Sequence, residues 1–200
     1  VAETIYWMSR YAERAANVAR FVEVNFYMTL DHADGAQQWS PLVSVTGDEK
    51  LFLDRYGEPD RDRVLEFLFF DPEYPSSAFS CLRAARENAR TVREIISTDM
   101  WEQINSAYLF VRQTPKGQRD TIYRNPHDFC RALRSASTLF GGLAHDTMSH
   151  GEALQFFRLG RTLERADSTS RILDVKYFII LRTMGAIGTP EDDLQWSALL

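Results

Sequence analysis

Apolar residues recur every three or four positions along most of the chain, and the expected architecture follows from that spacing. Within residues 3–30 the positions Ile5, Met8, Ala12, Ala15, Ala19, Val22 and Phe26 form the seam of an amphipathic helix. A polar stretch at 31–37 ends it. Short helical pieces are predicted at 38–45, 48–56 and 60–70, and Asp71-Pro72-Glu73-Tyr74-Pro75 breaks the last of them. Longer helices are predicted at 76–96, from a cap at Asp99 and Glu102 to about 113, and from Asn125-Pro126 to about 145. Ser149-His150-Gly151-Glu152 has the form of a capping box that opens a helix reaching about 183. Residues 114–124, with Pro115 and Gly117, and residues 185–193 read as loops. No alternating run is long enough for a strand, so the expected fold class is all-α, a multi-helix bundle.

An internal repeat sharpens this picture. The segment YWMSRYAERAANVARFVEVNFYMTL matches FRLGRTLERADSTSRILDVKYFIIL at a shift of 151 residues. Identities fall at Arg10/Arg161, Glu13/Glu164, Arg14/Arg165, Ala15/Ala166, Arg20/Arg171, Val24/Val175 and Leu30/Leu181. Gln38-Trp39-Ser40-Pro41-Leu42 then matches Gln195-Trp196-Ser197-Ala198-Leu199 at a shift of 157. The expectation is a duplicated helical unit within one helical domain over 1–200: unit one at about 1–150, and the start of an incomplete second unit at 151–200. Apolar faces left uncovered by that second unit would favour homo-oligomers.

Composition narrows the function classes. With 44% apolar residues the 200-residue chain can bury a core, and its net charge of −5 argues against wrapping nucleic acid or coating an acidic membrane. No run of apolar residues is long enough to span a bilayer, and the chain reads as soluble and cytoplasmic. Cys81 and Cys130 are too few for a disulfide scaffold and are expected to be inert buried thiols. The four tryptophans read as core or interface anchors. His145, Asp146 and His150 straddle a helix boundary rather than sharing one helix face, so no metal site is expected. Sequences for phosphate loops, dinucleotide folds, serine hydrolases and zincins are absent.

Arginine is the anomaly: it supplies 20 of the 23 basic residues. Tyr6, Arg10, Glu13, Asn17 and Arg20 share one stripe of a helix, and Phe157, Arg161, Glu164, Ser168 and Arg171 repeat it. Arg83, Arg86, Arg90 and Arg93 step by the same intervals on a third helix. In one reading Glu13 and Glu164 bridge arginines on facing helices across a pseudo-twofold axis and fix which helices pack together. In the other, Arg10, Arg14, Arg20, Arg86, Arg90, Arg161, Arg165 and Arg171 exceed the local carboxylates and bind an anion, with Glu13 and Glu164 as orienting groups or as acid and base.

At these residues the chain resembles the bacterial alpha-E proteins, all-helical domains with a recurrent Glu-Arg motif. The resemblance rests on YWMSRYAERAANVAR, on CLRAARENARTVREIISTDMWEQIN at 81–105, and on GLAHDTMSHGEALQFFRLGRTLERAD at 142–167. It brings no reaction with it. It implies association with circularly permuted ATP-grasp proteins and with transglutaminase-like peptidases. ATP-grasp enzymes activate a carboxylate as an acyl phosphate before joining it to an amine. The implied role is an accessory or co-catalytic part of a system making peptide or amide bonds, with no cofactor of its own and ATP entering only through the partner. The motif residues carried over are Arg10, Glu13, Arg14, Arg20, Arg161, Glu164, Arg165 and Arg171. One departure stands within the repeat: Trp7 is matched by Arg158, so the two copies need not make the same contacts.

Overall fold

The computed structural model describes residues 1–29 and 39–182, with Thr189 and Asp193. Among these residues every regular element is helical. In chain order they are α1 (Ala2–Thr29), α2 (Ser40–Thr46), α3 (Glu49–Tyr56), α4 (Arg61–Leu65), a π-helical turn (Glu66–Phe70), α5 (Ala78–Thr91), α6 (Thr98–Arg112), α7 (Lys116–Arg124), α8 (His127–Thr147) and α9 (Glu152–Arg182). The predicted loop at 185–193, Gln38, and the second-copy tail Gln195-Trp196-Ser197-Ala198-Leu199 lie outside the described residues, apart from Thr189 and Asp193. The same holds for the polar stretch 31–37 and for Leu30.

Helix α1 is the axis of the bundle and packs against α5, α8 and α9. Its apolar seam is buried from Ile5 through Met8, Ala12, Ala15 and Ala19 to Val22. Helix α5 answers with Ala78, Cys81, Leu82, Ala85 and Ala89, a face of mostly small side chains that lets two backbones approach closely. Helix α8 runs antiparallel to α1, since Ser137 meets Glu13 while His127, ten residues earlier, meets Tyr27. Helices α6 and α8 are also antiparallel, with Phe110 on Phe129 at one end and Ser97 on Thr147 at the other.

The α1/α9 pair is different, because it is parallel and in register. Asn17 Nδ2 donates to Ser168 Oγ at 2.6 Å, and Ser9 lies against Gly160. Both pairs are 151 residues apart and occur in the same order along the two helices. A Cβ at position 160 would stand 2.2 Å from Ser9 Oγ and 2.4 Å from the Tyr6 carbonyl oxygen. Glycine there sets how close the two helices come.

Three boundaries depart from expectation. Residues 116–124 form α7, not a loop: Pro115 has the extended backbone that precedes a helix, and the turn is held by Tyr123 and Arg119, both hydrogen-bonded to Glu66. Helix α5 ends at Thr91, short of residue 96. Ser97, not Asp99, caps α6 by accepting from the Met100 N–H. The π turn closes with the Asp71 N–H on the Glu66 carbonyl, and Phe67, Leu68, Phe69 and Phe70 are all buried around it. The Asp71–Pro75 break falls where it was predicted.

Candidate functional site

The two Glu-Arg motifs meet face to face, each glutamate being gripped by the arginines of the opposite helix. Glu164 on α9 accepts from Arg10 Nε at 2.9 Å, Arg14 Nε at 2.7 Å and Arg14 Nη2 at 3.0 Å. Glu13 on α1 accepts from Arg161 Nε at 3.0 Å and Arg165 Nε at 2.7 Å. The parallel, in-register pairing of α1 and α9 dictates this exchange, because Glu13 and Glu164 then lie level and each reaches the arginines three residues before and one residue after its matching position on the other helix. Both glutamates are 1% exposed. Desolvation works against the Glu13 carboxylate, but Arg165 and Arg161 outweigh it and hold the group below its ordinary pKa. Burial also works against the Arg10 and Arg14 cations, and Glu164 more than offsets it, raising both above the ordinary value.

The halves of this cluster are not equivalent. Around Glu164 the guanidinium groups commit more of their nitrogens: Arg10 adds a bond from Nη1 to the Tyr6 hydroxyl at 3.1 Å and sits 5.3 Å from the Trp7 ring, and Arg14 gives both Nε and Nη2 and lies over Tyr11. Around Glu13 four donors share one carboxylate, since Arg20 Nη1 at 3.2 Å and Ser137 Oγ at 3.2 Å join Arg161 and Arg165. Arg161 and Arg165 each spend only Nε on Glu13, and their η nitrogens donate no hydrogen bond among the described residues. Five guanidinium groups on two carboxylates leave a surplus of positive charge at the helix interface.

Cavities flank the cluster. One, of about 240 Å³, is lined by Arg14, Asn17, Asp48, Glu164, Asp167 and Arg171, among others, and its charges nearly cancel. Arg171 is tied there to Asp167 at 3.0 Å and to the Val45 carbonyl at 2.8 Å. The other, of about 210 Å³, includes Gly141, Arg158, Arg161 and Arg165 in its wall. Arg161 lies so close over Gly141 that a Cβ there would overlap its guanidinium group.

Of the sequence-predicted residues, Arg10, Glu13, Arg14, Arg20, Arg161, Glu164 and Arg165 come together, and Arg171 borders the cluster. Arg86 and Arg90 do not join it. The face of α5 that meets α1 is its alanine stripe, so these arginines turn toward α6 and solvent. Arg86 donates to Asn105 Oδ1 at 2.7 Å and packs on Trp101 and Tyr108, while Arg90 pairs with Glu87. The arginines of the cluster thus come from two helices, α1 and α9, with α8 adding the Ser137 hydroxyl. Ser137 and Arg158 are the additions that spacing did not reveal. His145 lies in the last turn of α8 and His150 in the α8–α9 turn, and no His, Cys, Asp and Glu group among the described residues could hold a metal. Cys81 and Cys130 are buried free thiols, and burial pushes the Cys81 thiol up to about 12. No helix among the described residues is long and apolar enough to cross a membrane.

The chain is 25% identical over 185 residues to an uncharacterized protein of Mycobacterium bovis and, equally, to one of Mycobacterium tuberculosis. The match covers 82% of this chain and 21% of each relative, so the chain spans about a fifth of their length. No solved structure matches it. The profile of the Alpha-E family, a predicted alpha-helical domain with a conserved ER motif, matches residues 1–200. The chain belongs to the Alpha-E family.

Proposed function

We propose that this domain is an accessory or co-catalytic component of an amide-bond-forming system powered by an ATP-grasp partner, and that its Glu-Arg cluster holds an anionic group of the material being joined. The observation that carries the reading is the surplus of guanidinium groups over the two buried carboxylates. An ion-pair network that served packing alone would need no such surplus, whereas planar guanidinium forks are suited to carboxylates and phosphates. The partnership itself rests on the family resemblance, and the relatives' much greater length is consistent with a domain that works beside others. A transglutaminase-like peptidase is the second expected partner. ATP would enter through the ATP-grasp protein alone.

The decisive experiment measures ATP turnover with amines and amino acids as acceptors, for the full-length protein, for its ATP-grasp partner, and for the mixture. Turnover confined to the mixture, and lost in Arg10→Ala and Arg161→Ala, is the expected result. Full activity in both variants would overturn the reading.

A second reading has its own support: every oxygen of Glu13 and Glu164 is hydrogen-bonded inside the bundle, as in a scaffold that uses buried charge to fix helix pairing. It predicts that the mixture gains nothing over the partner alone. An acid-base role for Glu13 is disfavoured, because four donors surround it and it is held ionised.

A further inference from the structure

The rings that cover the Glu164 side of the cluster belong to Tyr6, Trp7 and Tyr11. Their counterparts 151 residues on are Phe157, Arg158 and Thr162, and all three line the 210 Å³ cavity beside Arg161 and Arg165. Where the first motif packs aromatic rings against Arg10 and Arg14, the second leaves Arg161 and Arg165 facing the cavity without such rings and adds another cation. The Arg158 guanidinium group makes no hydrogen bond or ion pair among the described residues, its carbonyl accepting from the Thr162 hydroxyl, and no carboxylate lines this cavity. Glu13 takes Nε from Arg161 and from Arg165, which fixes both side chains while leaving their η nitrogens for something else. Leu154 and Phe157 supply an apolar wall.

We infer that this cavity binds a phosphoryl group, as inorganic phosphate or as the head of a small phosphate monoester, through Arg158, Arg161 and Arg165. The inference rests on the anion-binding part of the reading above and does not require the ATP-grasp partner. Three guanidinium groups without a lining carboxylate suit a dianion with three free oxygens better than a carboxylate with two. The volume lies below the roughly 300 Å³ at which pockets for drug-sized ligands begin, so the phosphoryl group carries at most a short tail. Glu13 acts here as a positioning residue, orienting two of the forks from behind.

The test is calorimetric titration of the protein alone with inorganic phosphate, phenyl phosphate and benzoate at one fixed low ionic strength. Saturable one-to-one binding of both phosphates is expected, with benzoate weaker than phenyl phosphate by about tenfold or more. Arg158→Trp, which restores the residue of the first motif, should weaken phosphate by about tenfold or more without lowering the melting temperature. Arg165→Gln should weaken it at least as much. Absence of saturable phosphate binding, benzoate binding as tight as phenyl phosphate, or unchanged affinity in Arg158→Trp would each overturn the inference. Phosphate binding without any gain of turnover on mixing would remove the ligase partnership and leave this site standing. Turnover on mixing without phosphate binding would do the reverse.

Discussion

The Glu164 half and the Glu13 half of the cluster start from the same five-residue pattern and end as different objects. Around Glu164, Arg10 and Arg14 spend several nitrogens each on one carboxylate and are covered by Tyr6, Trp7 and Tyr11. Around Glu13, Arg161, Arg165 and Arg20 give one nitrogen apiece, Ser137 adds a hydroxyl, and a cavity opens where the covering rings would be. The residues of the motif do not make this difference. It comes from their neighbours: Trp7 against Arg158, Tyr11 against Thr162, and the approach of α8 through Gly141 and Ser137. A repeated motif thus fixes the helix pairing, while the positions between its repeated members decide which half opens on a cavity walled by cations without a lining carboxylate.

The largest effect should come from removing either buried carboxylate. Glu13→Ala strands Arg161, Arg165 and Arg20, and Glu164→Ala strands Arg10 and Arg14. Each should cost up to about 3–5 kcal/mol in urea unfolding, because a buried carboxylate is lost and the partly buried arginines around it are left without their counter-charge. A near-native midpoint in either variant would mean that its half contributes nothing to helix pairing. Next comes Gly160→Ala, whose new Cβ would meet Ser9 and the Tyr6 backbone, forcing the helices apart. A loss of about 1–3 kcal/mol is expected, and wild-type stability would contradict the close parallel register.

Acid titration separates the halves in another way. The folded pKa of Glu13 is lowered, so its stabilising contribution is complete above the unfolded value of about 4.3 and is lost as pH falls through the folded value. Stability should therefore fall on acidification below about pH 4 to 5, and the fall should be shallower in Glu13→Gln. An unchanged acid limb in that variant would break the assignment. The smallest effect belongs outside the cluster: Arg90 and Glu87 are exposed, and Arg90→Ala should change stability by less than about 0.5 kcal/mol.

Much of this was legible in the sequence. The 3.6-residue period of the apolar positions marks the long helices, and every residue of the α1 seam from Ile5 to Val22 is buried. The exchange of Glu13 and Glu164 between facing helices follows from two matching stripes at a fixed shift. The short helix at Lys116–Arg124 was hidden because Pro115 and Gly117 resemble loop punctuation, and its anchor is a distant glutamate, Glu66. Arg86 and Arg90 share the spacing of the motif arginines, but spacing states which residues share a face and not which helix that face meets. Ser137 and Arg158 matter through α8 and α9 packing, a long-range arrangement with no local signature. Arg158 in particular reads as a lapse of the repeat until the cavity beside it is seen.

The account turns on the claim that the cavity beside Arg161 and Arg165 binds an anion, whereas the cavity beside Arg14 and Glu164, whose charges nearly cancel, does not. Thermal unfolding with and without phosphate at matched ionic strength tests it most directly, in wild type, Arg14→Gln and Arg165→Gln. Phosphate at about a hundred times its Kd should stabilise a binding-competent protein by about 2.7 kcal/mol. The account predicts that wild type and Arg14→Gln gain this stabilisation, the latter from a lower starting point, while Arg165→Gln does not. Equal gains in the two variants, or a loss confined to Arg14→Gln, would contradict it.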